Sequence, residues 1–360
     1  MEYLFEYLVF LAEVVTIVVA IVIVLSVIAG LSQRAAGEEN EGGRLRLTKI
    51  NDRVKGLRRA MEARLLPEET VKKKHKQEQK AEAQTQKEKQ KLLKQEAKQK
   101  SSGDAEETSQ EADEKRVFVL RFEGDIKASR LEQLRLEVDA VLTSATANDE
   151  VVVVLESPGG MVHSYGLAAS QLLRIRSRDI PLTAVVDKVA ASGGYMMAAT
   201  ANRILAAPFA LVGSIGVVAQ VPNVHRLLKK NDIDVEVLTA GKYKRTLTTF
   251  GENTDEGRQK FLEELEDVHA LFREFVVEQR ANLDIDTVAT GEAWYGKRAL
   301  DLGLVDELMT SDEYLLSLCE QAQVYEVRWV EYQKPIDRFM GKVNGLLESS
   351  SGLLDSWRAR

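Results

Sequence analysis

The sequence predicts an α/β fold, on the basis of three observations from residue 117 onwards. Short apolar runs with the character of strands alternate with amphipathic helices. One run, EVVVVLES at 150–157, is apolar over most of its length, which is typical of a strand buried on both faces of a parallel sheet. Glycine-rich turns directly follow two predicted strands, at 157–160 and 191–194. Because parallel strands need crossover connections, this alternation predicts a sheet covered by helices.

The elements of this predicted sheet follow one another without long gaps. Strands are predicted at 117–122, 150–157 and 181–187, and helices between them at 129–142 and 165–177. The first helix is located by apolar residues at spacings of three and four, which are Leu131, Leu134, Val138 and Val141. A further strand is predicted at 234–240 and a long helix at 255–283. The predicted buried stripe of that helix is Phe261, Leu265, Val268, Phe272 and Phe275.

The N-terminus predicts a membrane anchor. Residues 14–33 carry no charge, and about 20 apolar residues are enough to span a bilayer as a helix. A cleaved signal peptide is the alternative, but it needs a basic flank and a shorter apolar core, whereas this flank contains Glu2, Glu6 and Glu13. We therefore expect residues 1–33 to be a retained transmembrane anchor.

A charged, partly disordered linker is predicted over 34–116. It contains a candidate amphipathic helix at 46–66, a Lys- and Gln-rich run at 71–100 and an acidic run at 101–114, and the last two have too few apolar residues to form a core. The chain carries a net charge of −7, which disfavours nucleic-acid binding. The catalytic domain is predicted at 117–335, followed by a C-terminal tail at 336–360 with helical character.

The scarcity of cysteine and histidine narrows the chemistry. Cys319 is the single cysteine, so neither an intrachain disulfide nor a zinc cluster based on cysteines is possible. There are four histidines, which leaves few candidates for a Ser-His-Asp mechanism. His163, close to the first glycine-rich turn, is the histidine best placed to act as a rival base, although a histidine at such a position is more often a solvated or packing residue.

Three short motifs contain residues that could carry out catalysis. Ser157-Pro158-Gly159-Gly160 follows a buried strand and could supply backbone amides to an oxyanion hole, or could be an ordinary turn. Ser192 lies among small residues between a strand and a helix, where it could be a nucleophile or a simple N-cap. The cluster GKYKR at 241–245 holds two lysines, Lys242 and Lys244, and the residues alone do not say which of them points inward.

These motifs occur in an order that resembles the signal peptide peptidase family of serine proteases. The resemblance covers about residues 117–310 and rests on SPGG, ASGGYMMA, GSIGV at 213–217, GKYKRTLT and TGEAWYGKRALDLGLVDE. The N-terminal anchor, the Lys-rich tether and the single catalytic domain resemble the short inner-membrane members of that family. The fold that the resemblance implies is the ClpP/crotonase type, a spiral of βαβ units.

The resemblance also assigns roles to individual residues. Ser192 corresponds to the nucleophile, and the family motif G-x-Y/F-K selects Lys244 over Lys242 as its base, 52 residues later (244 − 192 = 52). Ser214 would orient the lysine, and the backbone amides of Gly160 and Gly193 would form the oxyanion hole. The sequence departs from the family at Glu156, where asparagine is common, so we expect this carboxylate to point away from the site or to pair with a cation.

The resemblance implies a serine endopeptidase of membrane-associated or unfolded peptides, including signal-peptide remnants, that needs no cofactor or metal and assembles as a homo-oligomer. Two alternatives are a crotonase-fold enzyme of acyl-CoA chemistry and an inactive, protease-like scaffold. The resemblance implies a catalytic domain on the periplasmic side of the inner membrane. The basic residues that follow the anchor instead favour the cytoplasmic side, and they are Arg34, Arg44, Arg46, Lys49, Arg53 and Lys55.

Overall fold

The structure is a computed structural model that describes residues 42–74 and 115–331, together with isolated positions between 16 and 87. Residues Leu45–Trp329 form one compact unit. The predicted anchor, the acidic run and the C-terminal tail lie outside the described residues. Within the described part of the chain, no helix combines the length and the apolar character needed to cross a bilayer.

The first described segment contributes an edge strand and a helix to the unit. Strand β1 spans Gly43–Lys49 and helix α1 spans Ile50–Leu65. The prediction of one amphipathic helix over 46–66 is wrong for its first four residues, because these pair as a strand with β9 (Gln323–Glu331). Asn51 joins α1 to the unit: its side-chain amide donates to the Cys319 and Ala322 carbonyls at 3.1 and 2.9 Å and accepts from the Val324 amide at 2.8 Å. Residues 43–65 are therefore folded, although they lie within the segment predicted as a linker.

The alternation of strands and helices predicted after residue 116 is confirmed. The strands and helices in order are β2 Arg116–Glu123, α2 Leu131–Leu142, β3 Glu150–Ser157, α3 Val162–Arg176, β4 Leu182–Ala191 and α4 Gly193–Ala199. Residue 151 to residue 155 of β3 are all buried, as expected for a central strand. The fold is thus α/β, with a largely parallel sheet.

The remaining elements complete the sheet and cover it. They are β5 Arg203–Ala206, β6 Leu211–Gly213, α5 His225–Lys230, α6 Asp255–Gln279, α7 Ile285–Val288, β7 Ala293–Tyr295, α8 Gly296–Asp301, β8 Glu307–Leu308 and α9 Ser311–Gln321, before β9. The strand predicted at 234–240 is absent from this structure, since these residues pair with no other strand. Their apolar side chains at Val235, Val237 and Leu238 are exposed. An apolar run therefore predicted a strand for which the described chain offers no partner.

The sheet brings the ends of β3 and β4 side by side. Its described strands run in the order β1-β9-β2-β3-β4-β5-β8, and β6 pairs with both β4 and β7. The pairs of β3 with β2 and of β4 with β3, β5 and β6 are all parallel. Ser157 at the end of β3 is in register with Ala190 near the end of β4. The two glycine-rich turns consequently leave the same edge of the sheet at neighbouring positions.

Hydrophobic layers cover both faces of the sheet. Val151, Val153 and Leu155 of β3 face the layer that contains α2 and α3, whereas Val152 and Val154 face the layer of α9 and Ile50. Only part of the predicted stripe of α6 is buried: Phe272 is buried, as is Val276, which the prediction omitted, while the other four predicted residues are half-buried. The first half of α6 lies beside the exposed residues 218–254 and has no core to pack against.

Candidate active site

The turn after β3 packs directly against the turn after β4. Gly159 has a φ of +88°, which residues with a side chain rarely adopt. A Cβ atom on Gly159 would lie 2.7 Å from the Ala191 carbonyl oxygen and 2.8 Å from both Ser192 Cβ and the Gly193 nitrogen. Glycine is therefore required for this turn to lie so close to Ser192.

Ser192 occupies a strained position between β4 and α4. Its φ of 51° and ψ of −117° fall in a region that non-glycine residues rarely adopt, at a cost of about 1–3 kcal/mol, and such strain concentrates at functional sites. The Ser192 amide donates to the carbonyl of Gly213 at 2.8 Å, so the end of β6 holds the turn from one side. The turn of Gly159 holds it from another. The backbone of the predicted nucleophile is thus constrained on both sides.

A buried hydrogen-bond network, which none of the sequence motifs indicates, lies beneath these turns. Tyr165 donates its hydroxyl to the Asp125 carbonyl at 2.7 Å and lies 2.5 Å from Ser157 Oγ, which therefore acts as donor to it. Ser157 Oγ also accepts from the Gly159 amide at 3.1 Å. The Tyr165 ring lies against Gly193, where a Cβ atom would come within 2.3 Å of Tyr165 Cγ. Burial raises the pKa of Tyr165, so its hydroxyl stays protonated as this network requires.

Ser192, Gly160 and Gly193, which were predicted to act together, line one cleft in the structure. The cleft is small, with a cavity volume of about 20 Å³, and it is partly open to solvent. Its other lining residues are Val162, Met196, Gly216, Val217, Val268 and Phe272. Gly160 lies directly against the backbone of Ile126, because a Cβ atom on it would lie 2.1 Å from the Ile126 carbonyl oxygen. The side chains that line the cleft beside Ser192 are apolar.

Ser214 lies at the same level of the sheet as Ser192. Ala191 is in register with Gly213, so the serine that follows each of them leaves the parallel pair β4 and β6 at the same edge. Ser214 also has a positive φ, of 53°, and its hydroxyl donates to the Gly291 carbonyl at 3.3 Å. No hydrogen bond or ion pair joins Ser214 to a lysine among the residues that the structure describes.

Lys244 is the one predicted catalytic residue that the structure does not bring to the cleft. Its side chain is exposed, and within the described residues no hydrogen bond or ion pair links it to Ser192 or Ser214. Lys242 is engaged elsewhere, since its Nζ lies 3.0 Å from Glu256 Oε1 and 4.9 Å from the centre of the Tyr243 ring. The side chains of Tyr243 and Glu256 raise the pKa of Lys242, which disfavours it as a neutral base.

Glu156, the departure from the family motif, pairs with a cation as expected. Lys188 Nζ lies 2.9 Å from both Glu156 carboxylate oxygens. The pairing follows from an irregularity in the sheet, where β4 has three residues between Val186 and Ala190 for the one residue of β3 between Leu155 and Ser157. The extra length brings Lys188 alongside Glu156. The hydrogen bond to Glu156 and its charge raise the pKa of Lys188, which keeps the lysine protonated.

Other catalytic chemistries find little support among the described residues. His163, the rival base, is exposed in the first turn of α3, and no hydrogen bond in the described chain joins it to Ser192. The same residues contain no group of three or more His, Cys, Asp or Glu side chains that could hold a metal ion. What the geometry supports is a serine held in a strained turn that packs against a second, glycine-rich turn.

Comparison with known proteins finds relatives that extend over most of the chain. The profile described as Peptidase family S49 N-terminal matches residues 2–172, and that described as Peptidase family S49 matches residues 174–325. Probable protease SohB of Haemophilus influenzae is 47% identical over 333 residues, which covers 92% of this chain and 91% of the relative. Putative protease SohB of Buchnera aphidicola subsp. Baizongia pistaciae is 40% identical over 329 residues, or 91% of each chain. A solved membrane-bound stomatin-specific protease is only 15% identical, with a TM-score of 0.38 over 57% of this chain and 84% of its own, too distant to bear on the site.

Proposed function

Since the chain belongs to peptidase family S49 and is a serine protease, we propose that it is a membrane-anchored endopeptidase with Ser192 as its nucleophile and Lys244 as its general base. The observation that carries the proposal is the contact between the two glycine-rich turns. Gly159 lies against Ser192 Cβ, and Ser192 itself adopts a φ that only a constrained turn tolerates. Strand-to-helix turns of this strained kind expose a nucleophilic serine in other hydrolases.

The proposed reaction proceeds through an acyl-enzyme. Ser192 Oγ attacks the peptide carbonyl carbon while neutral Lys244 takes its proton, and the amides of Gly160 and Gly193 stabilise the resulting oxyanion. Lys244 then donates the proton to the leaving amine and activates the water that hydrolyses the ester. Ser214 orients the Lys244 amine by a hydrogen bond, a role that its position beside Ser192 supports. The reaction needs neither a metal nor a cofactor.

The proposed substrates are peptides in an extended, apolar conformation, such as membrane-associated or unfolded segments and signal-peptide remnants. Val162, Met196 and Val217 line the cleft next to Ser192 and would contact the side chain that precedes the cleaved bond. The pairing of β4 with both β5 and β6 supports a spiral of βαβ units of the ClpP/crotonase type, in which such a cleft can accept an extended chain.

We further propose that the protease acts as a homo-oligomer in which Lys244 of one protomer serves Ser192 of a neighbour. Residues 218–254 expose many apolar side chains, including Val218 at 85% and Leu238 at 88%. Exposed apolar surface of this extent marks an interaction site in soluble domains. A neighbouring protomer could cover it and at the same time order Lys244.

The anchor at 14–33 places the protease in the inner membrane. The two inferences on its sidedness make opposite predictions for the C-terminus. Fusion of alkaline phosphatase or green fluorescent protein to residue 360 distinguishes them, since the first is active only in the periplasm and the second fluoresces best in the cytoplasm.

The nucleophile is tested by Ser192→Ala in the full-length, detergent-solubilised protein. We expect loss of casein hydrolysis by a factor of about 10⁴ or more, and loss of labelling by a fluorophosphonate probe, with an unchanged melting temperature. Ser170→Ala is the matched control, because this serine is exposed on α3 and its hydroxyl donates to the Gly166 carbonyl of the same helix, at 2.8 Å. Labelling that survives in Ser192→Ala, or casein hydrolysis at the wild-type rate, would reject Ser192.

A further inference from the structure

The β1–α1 segment, residues 43–65, differs in charge from the rest of the chain. It carries eight basic and two acidic residues, a net charge of +6, whereas the whole chain carries −7 and the remainder therefore −13. The basic residues are Arg44, Arg46, Lys49, Arg53, Lys55, Arg58, Arg59 and Arg64, and the acidic ones are Asp52 and Glu62. Such a concentration of positive charge favours an anionic partner.

Helix α1 also presents an apolar stripe that leaves the core halfway along the helix. Ile50 is buried and Val54 packs against the α9 layer. Leu57, Met61 and Leu65 continue the same stripe at spacings of three and four residues, but they are 65%, 59% and 72% exposed. At 100° per residue, all five positions fall within an arc of about 80°. The unit therefore covers only the first turns of the stripe.

Arginines flank the exposed half of this stripe. On the helical projection, Arg53 and Arg64 lie to one side of the stripe and Arg58 to the other. Apolar side chains bordered by long cationic ones are typical of helices that lie in a membrane interface, where the apolar groups enter the acyl boundary and the guanidinium groups bind lipid phosphates.

We propose that the β1–α1 segment docks on the surface of an anionic bilayer, with Leu57, Met61 and Leu65 inserted. The inference rests on the proposed anchor, because nine residues (34–42) separate the apolar run from β1 and span about 30 Å at most. The segment is also attached firmly to the protease, through Ile50 and the three hydrogen bonds of Asn51. Docking would fix how the Ser192 cleft faces the bilayer.

Two other occupants, a second copy of this segment and the acidic run of the chain, fit the segment less well. A second copy of the segment would bring +6 against +6, which is repulsive. The acidic run of this chain, with six carboxylates and no basic residue over 104–114, has compatible charge but offers no apolar side chain larger than alanine to cover the exposed leucines and methionine. A bilayer with anionic headgroups satisfies both the charge and the apolar stripe.

The test uses the full-length protein in nanodiscs with one fluorophore at a time. In a Cys319→Ser background, Met61→Cys carries an environment-sensitive NBD label, and Leu136→Cys, an exposed leucine on α2, is the matched control. Nanodiscs contain phosphatidylethanolamine and phosphatidylglycerol at 3:1, or phosphatidylcholine alone, each with a trace of nitroxide-labelled lipid. We expect a blue shift and nitroxide quenching at position 61 in the anionic discs only, and neither at position 136.

Charge is tested by replacing Arg53, Arg58 and Arg64 with Gln. Because each basic residue near an anionic surface contributes roughly a fivefold preference, the equilibrium constant for docking should fall about 100-fold, and the quenching should decrease strongly. Equal quenching in phosphatidylcholine, or no quenching in anionic discs, overturns the proposal. A blue shift without nitroxide quenching that is lost when the six acidic residues of 104–114 become Gln or Asn assigns the site to the acidic run instead, and also overturns it.

Failure of the anchor is distinguished by a separate measurement on the same samples. Flotation of proteoliposomes in alkaline carbonate reports whether the chain is integrated, and fluorophosphonate labelling of Ser192 reports the proposed nucleophile. An integrated, labelled protein without quenching at position 61 contradicts the docking alone. A protein that does not float contradicts the anchor, and with it the docking that rests on it.

Discussion

The surroundings of Ser192 and those of Lys244 differ in order and burial. Ser192 lies between parallel strands, with its backbone tied to Gly213 and its turn packed on Gly159. Lys244 lies in residues 218–254, where α5 is the single helix and the described chain forms no strand. Hydrogen bonds within that segment hold its two ends together, as where the Asn223 side-chain amide donates to the Thr248 and Gly251 carbonyls at 2.8 and 3.0 Å.

This difference suggests a division of the catalytic machinery. Ser192, the proposed nucleophile, and the two glycine-rich turns are positioned by the core of the described chain, so their geometry follows from folding alone. The proposed base depends on contacts that the described protomer does not make. A protease built in this way could fold without cutting, and would gain activity when Lys244 is brought to a serine. Four substitutions test this difference between the surroundings of Ser192 and those of Lys244, and the largest effect is expected for Lys244.

Lys244→Ala should lower casein hydrolysis by a factor of about 10³–10⁴, because the serine loses its base. Lys242→Ala is the matched control two residues away and should retain most of the activity, since Lys242 pairs with Glu256. Mixing Ser192→Ala with Lys244→Ala protein during oligomer assembly should restore part of the activity if the pair spans two protomers. No recovery in mixed oligomers would confine the pair to one chain.

Gly159→Ala should lower kcat by about 10²-fold. The new methyl group would contact the Ala191 carbonyl at 2.7 Å and force a positive φ on alanine, which displaces the oxyanion turn from Ser192. Gly166→Ala on α3 is the control, since nothing lies within 4 Å of its Cβ position, and it should be neutral or slightly stabilising. Equal kcat for both variants would show that the contact of the two turns does not matter for catalysis.

Tyr165→Phe should lower kcat by about 10-fold with little change in KM, because Ser157 and the Gly159 turn lose a buried hydrogen-bond partner. Tyr314→Phe removes a comparable buried hydroxyl, which lies 2.5 Å from Glu150 on the other face of the sheet. Both variants should lose about 1–3 kcal/mol of unfolding free energy, but only the first should lose kcat. An equal loss of kcat in both variants would show that the hydrogen bonds of Tyr165 contribute to stability and not specifically to catalysis.

Asp306→Asn should weaken the attachment of α6, because Asp306 accepts hydrogen bonds from Arg280 at the end of that helix. Helix α6 follows residues 218–254 in the chain and reaches the Ser192 cleft through Val268 and Phe272. Burial by itself raises the pKa of Asp306, but hydrogen bonds from Arg280, at 2.9 and 2.7 Å, and from the Ile204 amide outweigh it and lower the pKa. A carboxylate of lowered pKa stabilises the fold above its unfolded pKa of about 4, and this contribution is lost as the pH falls through the folded value.

Urea unfolding of wild type and Asp306→Asn at pH 7 and pH 3 measures this contribution. We expect a difference of about 1 kcal/mol at pH 7, because the ion pair is partly solvent-exposed, and a smaller difference at pH 3. A difference that does not depend on pH would assign the effect to packing. Casein hydrolysis at pH 7 should change little.

Predictions of strands and helices from the sequence are confirmed where the predicted element packs against, or pairs with, a neighbouring element. The run EVVVVLES predicted a buried strand, and Val151 to Leu155 are buried in the middle of the sheet. The prediction of a strand at 234–240 was wrong, because a strand needs a partner and the described chain provides none for these residues. Residues 46–49 became a strand instead of a helix, since β9 offers them an edge to pair with.

The sequence by itself determined the α/β class, the family and the candidate residues, because these depend on local patterns and on motif order. Only the tertiary structure decided that Gly159 touches Ser192, that Tyr165 supports both turns and that Glu156 pairs with Lys188. These contacts join residues from different strands and helices, whose distances depend on sheet register and not on spacing along the chain. The separation of Lys244 from the cleft also depends on tertiary structure. A motif can indicate which lysine is the base, but it does not show which serine that lysine contacts.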